Sequence, residues 1–229
     1  MKTAICLFLA IALPAVAQTT ARRGYIAAYG EASISIRPDQ ARVNVGVLTQ
    51  APTATDAAAK NADQVASVIA SLRSVLGAGA DIRTINYSLG PTYQYASGGG
   101  QPMLTGFQAN NVVQATIGDT TIIGRVIDAA IQGGATRVDG IQFGLKDEDP
   151  IRRDVLRNAA QKARQKADTI AAGLGVRTGA VIAADEGYQA QRVGGGDRST
   201  APGAAAVTPV ETGTLEIRGT VTLQLEVLP

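Results

Sequence analysis

The 229-residue sequence contains no histidine and no tryptophan, and its single cysteine is Cys6. Without histidine, the chain has no Ser-His-Asp or Cys-His nucleophile pair and no zinc or haem site that depends on imidazole. One cysteine also excludes an intrachain disulfide and a cysteine-ligated iron-sulfur cluster. Sites built from aspartate and glutamate remain open, and so do functions carried by binding surfaces.

Residues 1–17 have the pattern of an export signal. A lysine precedes an apolar stretch of ten residues, 4–13, and Ala15 and Ala17 supply the small-x-small pattern that signal peptidase requires. The alternative of a membrane anchor is disfavoured, because a transmembrane helix needs roughly 20 apolar residues. We therefore predict a signal peptide that is cleaved after Ala17, a periplasmic location, and no integral membrane span. Residues 18–26 are then an N-terminal extension.

The net charge of the mature chain points to no particular partner. Cleavage removes one base and no acid, which leaves 20 basic and 19 acidic residues. A nearly neutral chain gives no electrostatic reason to expect a nucleic-acid partner. The remaining length is enough for one sizeable core, and we expect a single domain over residues 27–229.

The N-terminal third of the mature chain predicts a β-hairpin followed by a helix. Two stretches of alternating apolar residues, 31–36 and 43–47, flank a turn that contains proline. Thr53, with Asp56 three positions later, predicts the start of a helix that ends at Gly77. We expect this helix to pack on the valine face of the hairpin.

The rest of the chain continues with alternating strand and helix signals. It first predicts a strand from Asp81 that is broken at Gly90–Pro91, a loop at 96–104 and a strand at Phe107–Ile117. A helix over 122–131 capped by Asp119 and a strand at 141–145 follow, and then a long helix that is capped by Asp149, has Pro150 at its first position and ends near Leu174. The last predicted elements are a short strand at 179–184, a flexible loop at 187–213 and a strand at Leu215–Val227.

This order predicts an α+β fold with about seven strands and three helices. An antiparallel or mixed sheet with helices on one face is the simplest packing, because several strands are polar at alternate positions. Two strand-helix-strand stretches suggest an internal duplication. We expect one sheet, or two halves that share one sheet.

Four groups of residues are candidates for chemistry, and each also has a structural explanation. Asp147, Glu148 and Asp149 could bind a hard cation, but capping of the long helix accounts for their position. Tyr87, Tyr93 and Tyr95 could line a ligand groove, but cross-strand packing is the commoner role of such residues. The third group is the basic residues of the long helix, and the fourth is two glycine runs, 98–100 and 194–196.

The basic residues and the glycine runs favour no nucleotide or nucleic-acid site. The glycine runs lack the helix and the following Lys-Ser or Lys-Thr pair of a phosphate loop. The basic residues fall on two flanks of the long helix rather than along one stripe, which is typical of lysine and arginine at the edge of a packed face. They are Arg152, Arg153, Arg157, Lys162, Arg164 and Lys166. We assign no catalytic, cofactor or metal residues.

Several stretches of the sequence carry a family resemblance through their order and spacing. They are Gly30–Ala32, Ile82–Thr84, Asn86–Pro91, Gly106–Asn110, Gly124–Ala130, Asp147–Arg153, Ala159–Arg164 and Leu174–Val176. Together they resemble the SIMPL-domain family of bacterial periplasmic and outer-membrane-associated immunogenic proteins, and the resemblance covers about residues 27–228.

The resemblance implies an α+β fold, export to the cell envelope, large homo-oligomers and a link with stress tolerance. It carries over no catalytic residues. We therefore expect a non-enzymatic scaffold, and association with the outer membrane stays open. The alternative is a periplasmic protein that binds a small ligand or a divalent cation, and a hydrolase that uses only carboxylates stays open. The long uncharged strands Phe107–Ile117 and Leu215–Val227 are either central in a sheet or paired with a neighbouring subunit.

Overall fold

The computed structural model describes residues 24–95, 101–193 and 208–229. The predicted signal peptide therefore lies outside the described residues, as do most of the N-terminal extension and both glycine runs. The described elements confirm the predicted α+β class with seven strands and three helices. They are β1 (Tyr25–Ile36), β2 (Gln40–Ala51), α1 (Ala54–Leu76), β3 (Ile82–Gln94), β4 (Met103–Ile117), α2 (Ile123–Gln132, after a 3₁₀ turn at Thr120–Ile122), β5 (Arg137–Gly144), α3 (Asp149–Gly173), β6 (Arg177–Val193) and β7 (Thr214–Leu228).

The strands form two antiparallel sheets, so the expectation of one shared sheet is wrong. One sheet has three strands in the order β1-β7-β6, and the other has four in the order β3-β4-β2-β5. Each sheet has its own core. Valine and isoleucine side chains of β2 and β4 pack against α1 and α2, whereas β1 and β7 pack against α3. The two sheets therefore pack against different helices.

The predicted hairpin of β1 and β2 does not form. β1 pairs along its whole length with β7, from Tyr25 opposite Glu226 to Ile36 opposite Leu215, while β2 lies between β4 and β5. The residues between β1 and β2 carry the chain from one sheet to the other. The valine face of β2 does pack against α1 as predicted.

Helix α3 lies very close to the three-stranded sheet. Its inner face is a row of small residues at four-residue spacing, and Gly30 of β1 and Gly219 of β7 lie beneath it. A Cβ atom on Gly30 would stand 2.1 Å from the carbonyl oxygen of Ala159 and 2.4 Å from the backbone nitrogen of Ala163. Only glycine leaves room for the helix backbone at this distance.

The helix starts agree with the sequence in part. Thr53 accepts the backbone N–H of Asp56, and Asp119 accepts that of Thr121, as N-cap residues do. At α3, however, Glu148 occupies the N-cap position with no side-chain capping bond, and Asp149 is the first helical residue. Asp149 donates its own N–H to Asp147 Oδ1 at 3.0 Å, so the predicted cap is displaced by one residue.

Two segments that the sequence predicts to be interrupted form continuous strands. β3 runs through Gly90–Pro91, because β3 is an edge strand and a missing N–H is tolerated on the free edge of a sheet. β6 continues to Val193 instead of ending near 184, because β7 supplies a partner for nearly every residue. The remainder of the predicted loop, residues 194–207, lies outside the described residues.

The two long uncharged strands are both central. β7 lies between β1 and β6, and β4 lies between β3 and β2, so neither offers a free edge to a neighbouring subunit. Within one chain, both strands therefore have partners on both sides, and neither can pair with a neighbouring subunit as an edge strand. None of the helices in the described part of the chain has the length and apolar character to cross a membrane.

Candidate functional site

The hairpin of β3 and β4 carries a concentration of exposed apolar side chains, which we call the hairpin patch. It contains seven of the fifteen large apolar residues that are exposed in the described part of the chain. They are Ile85, Tyr87, Leu89, Tyr93, Tyr95, Met103 and Leu104. Tyr95 is 74% exposed and Met103 is 66% exposed, so these side chains lie in solvent rather than at the margin of the core.

The hairpin patch is exposed because the helices cover little of the outer strand of its sheet. Leu89 lies opposite Ala109 of β4, and Ala109 is fully buried in a small cluster with Ala57 of α1. Leu89, one strand further out, is 41% exposed. Tyr87 lies opposite Asn111 and is 51% exposed. The helix layer therefore reaches the start of β3 but leaves these two residues exposed.

The sequence around the hairpin patch has no charged residue. Between Arg83 and Asp119, 35 consecutive residues contain no Asp, Glu, Lys or Arg, although about six would be expected from the 17% of charged residues in the whole chain. Exposed edge strands are normally protected by charges, above all by lysine. Exposed apolar surfaces of this kind mark sites of contact with another protein, a membrane or a ligand.

The backbone edge of β3 is less available than its side chains. The register of β3 against β4 shifts between Thr84 and Asn86 and again between Thr92 and Tyr93, and Pro91 cannot donate a hydrogen bond. Bulges and proline are devices that block the addition of another strand. The hairpin patch is therefore suited to contact through the faces of its side chains.

Two buried amide oxygens lie beneath the hairpin. Asn61 of α1 is 1% exposed and donates its Nδ2 hydrogens to the carbonyl oxygens of Val47 and Ala109, at 3.0 and 3.3 Å. These acceptors fix the orientation of the amide, so Oδ1 points away from them. Among the described residues, neither Asn61 Oδ1 nor Asn111 Oδ1 has a hydrogen-bond donor. This part of the helix–sheet contact is polar and imperfectly satisfied.

Of the predicted site residues, the tyrosines are the ones that the structure places in this patch. Tyr93 lies opposite Leu104, which agrees with the expected cross-strand packing, and Tyr95 follows the end of β3. The sequence did not indicate that they would stay exposed. The available signal was the charge-free stretch, because it spans both β3 and β4. The alternation of apolar residues alone would predict that helices cover both of these strands.

The three carboxylates at the start of α3 have separate structural roles. Asp147 accepts a backbone N–H, and Glu148 Oε2 accepts the hydroxyl of Tyr188 at 3.0 Å. Burial and this hydrogen bond raise the pKa of Tyr188 to about 12. Within residues 24–95, 101–193 and 208–229, no group of three or more His, Cys, Asp or Glu side chains is placed to hold a metal ion.

The basic residues of α3 are distributed around the helix and engaged with neighbours. Arg152 lies 4.8 Å from the centre of the Tyr188 ring and 3.2 Å from Glu186. Arg164 contacts Thr178 of β6, whereas Lys166 lies on the other side of the helix over Tyr29 of β1. They form no continuous basic stripe of the kind that binds nucleic acid.

Comparison with known proteins identifies the family of the sequence. Residues 26–225 match the sequence profile of SIMPL, described as a protein of unknown function (DUF541). The chain belongs to the SIMPL family. The match includes all seven strands and all three helices of the described chain, apart from the outermost residues of β1 and β7.

Two curated SIMPL relatives show how far the similarity extends. The chain is 27% identical over 178 residues to the 26 kDa periplasmic immunogenic protein of Brucella melitensis, which is 72% of this chain and 70% of that protein. It is 26% identical over 157 residues to the uncharacterized protein YggE of Escherichia coli K12, which is 69% of this chain and 63% of that protein. Neither name describes a catalysed reaction.

Several of the SIMPL-like stretches in the sequence fall at structurally demanding places. Gly30–Ala32 contains the close approach of α3 to β1, and Ala159–Arg164 supplies the helix side of the same contact. Asn86–Pro91 and Gly106–Asn110 are the two strands of the hairpin that carries the patch. The SIMPL signature thus follows both the helix–sheet contact and the exposed hairpin.

Proposed function

We propose that this SIMPL protein is an exported, non-enzymatic scaffold of the cell envelope that assembles with copies of itself through the hairpin patch. The observation that carries the proposal is a large exposed apolar surface inside a charge-free stretch of 35 residues. Stress tolerance, as the process that the scaffold serves, rests on the family resemblance alone.

The absence of charge favours a second copy of the chain as the occupant of the hairpin patch. A partner with a different sequence is usually selected by complementary charges, and the patch offers none. Two identical apolar surfaces meet without like-charge repulsion, as a symmetric homo-oligomer requires. The bulges and Pro91 direct the contact to side chains, so the assembly does not need to continue the sheet from one subunit to the next.

The assembly is tested by the mass of the mature protein in solution. We expect light scattering to give a multiple of the single-chain mass at micromolar concentration. In the double variant Leu89→Lys, Tyr93→Lys, we expect a single-chain mass. The interface would remove water from the two lysine ammonium groups without giving them partners. Both positions are exposed, so circular dichroism should show an unchanged fold.

Ile131→Lys on α2 is the matched control, because Ile131 is an equally exposed apolar residue outside the hairpin, at 54%. This variant should keep the mass of the unchanged protein. A single-chain mass for the unchanged protein would refute self-assembly. If the unchanged protein and both variants share the same larger mass, the hairpin patch is not the interface.

Export is supported by the signal pattern in the sequence and by the periplasmic name of the Brucella relatives. We expect the protein recovered from its native envelope to begin at Gln18, since Ala15 and Ala17 fit the small positions of the cleavage site. N-terminal mass mapping measures this directly. Recovery of a chain that still contains Cys6 would contradict cleavage.

A further inference from the structure

The uncovered face of the three-stranded sheet contains a depression that is separate from the hairpin patch. Its volume is about 360 Å³. Gly187 of β6 and Thr220 of β7 lie opposite each other at its floor, and Tyr29, Glu31, Gln189 and Arg218 form its walls. The depression exists because glycine and threonine are short while their neighbours are long. Helix α3 packs on the opposite face of the sheet.

Hydrogen bonds and ion pairs hold the walls in place. Arg218 is 2.7 Å from Glu31 Oε1 and 3.3 Å from Glu216 Oε1. Tyr29 donates its hydroxyl to Glu31 Oε2 at 3.2 Å. The Thr220 hydroxyl donates to the Gly187 carbonyl oxygen at 3.4 Å, which ties the floor together. The side chains are therefore positioned before any ligand arrives, which reduces the entropy cost of binding.

The charges around the depression are balanced. Among the residues that line it, Arg218 carries the positive charge and Glu31 the negative one, and the two side chains are paired at 2.7 Å. A balanced site gives little selection for an anion or a cation. It does place hydrogen-bond donors of Arg218 directly beside acceptors of Glu31. This alternation matches groups that donate and accept at the same atom, which hydroxyls do.

We propose that this depression binds a sugar residue of a neutral glycan. Vicinal hydroxyls of a pyranose would bond to the Arg218–Glu31 pair, to the Gln189 amide and to the Thr220 hydroxyl. The apolar C–H face of the ring would pack on the Tyr29 side chain. The volume lies in the range of about 300 to 1,000 Å³ that small-molecule sites occupy. Because the depression is open, it suits one residue of a longer chain.

Ligand-observed saturation-transfer NMR tests the proposal on the mature protein, whatever its state of assembly. The probes are three neutral trisaccharides: maltotriose, cellotriose and tri-N-acetylchitotriose. We expect saturation transfer to at least one of them, and we expect Arg218→Gln and Thr220→Val to reduce it at least fivefold. Thr220→Val keeps the shape of the side chain and removes only the hydroxyl, so the fold should be retained.

Thr222→Val is the matched control, because Thr222 lies on the same face of β7 but does not line the depression. It should leave the saturation transfer unchanged. The proposal is overturned if none of the three trisaccharides shows transfer, or if the transfer is the same in Arg218→Gln, Thr220→Val and the control. Self-assembly is tested separately, because none of the residues of the hairpin patch lines the depression. The double variant Leu89→Lys, Tyr93→Lys therefore changes the hairpin patch and leaves the depression unchanged.

Discussion

Replacement of Gly30 by alanine should destabilise the three-stranded sheet more than an alanine at any other glycine of β1, β6 or β7. The new Cβ would stand 2.1 Å from the Ala159 oxygen and 2.4 Å from the Ala163 nitrogen. Both are backbone atoms inside α3, so no side-chain rotation relieves the clash. The helix has to move away, which loosens its contacts with β1 and β7. We expect a loss of about 3 kcal/mol, at the upper end of overpacking costs.

Urea unfolding of the mature protein measures this loss, with Gly90→Ala as the control. Gly90 also lies in a strand, but a Cβ there meets nothing within 4 Å. Its replacement should change the free energy of unfolding by less than about 0.5 kcal/mol, as surface changes usually do. Equal stabilities for the two variants would show that α3 is not held against Gly30.

Leu223→Lys should have the second large effect. Leu223 is 7% exposed in the core beneath α3, and it lies between Ala28 of β1 and Ala184 of β6. Lysine at this position loses the apolar burial of leucine and brings an ammonium group among the apolar side chains beneath α3, where Glu186 on the same face is already paired with Arg152. We expect a loss of about 3 to 4 kcal/mol in the free energy of unfolding, measured by urea titration.

Thr222→Lys provides the contrast to Leu223→Lys. Thr222 is the next residue of β7 and faces the uncovered side of the sheet, opposite Tyr29 and Asp185. A lysine there can extend into solvent, so stability and assembly mass should both stay close to those of the unchanged protein. Dissociation of the assembly by Thr222→Lys would place a subunit on this face and contradict the hairpin patch as the sole interface.

Local sequence signals predicted the elements well because each depends on nearby residues. Thr53 and Asp119 mark helix starts through hydrogen bonds to residues two or three positions later. The alternation of β7 correctly separated its buried face from its polar face. Local signals also explain the small error at α3, where three consecutive acidic residues offered more than one choice of cap.

Strand partners could not be predicted in the same way. Alternation shows which side of β1 is buried but not which strand lies beside it, and the nearest candidate in sequence, β2, is the wrong one. The decisive contact is the approach of Ala159 and Ala163 to Gly30, which joins residues far apart in the chain. The length of β6 was missed for a related reason, since its small and polar residues favour a strand only when β7 is beside them.

The candidate site was predicted only in part. The sequence singled out Tyr87, Tyr93 and Tyr95 as a possible ligand groove but not the other four residues of the hairpin patch. Whether a strand face is covered depends on how far the helix layer extends, and the layer reaches only the start of β3. No residue spacing within β3 indicates where this cover ends.

The topology of the three-stranded sheet has a consequence for how the chain acquires its structure. β1 is the first of the described strands to be synthesised, but its only partner among them is β7, and Ile26 pairs with Leu225, about 200 residues later. By contrast, β2 to β5, with α1 and α2, are contiguous and can close their sheet early. Until β7 appears, the alternating apolar face of β1 has no sheet to join. A chain with this order therefore needs its first strand to be protected from aggregation until its last strand is synthesised.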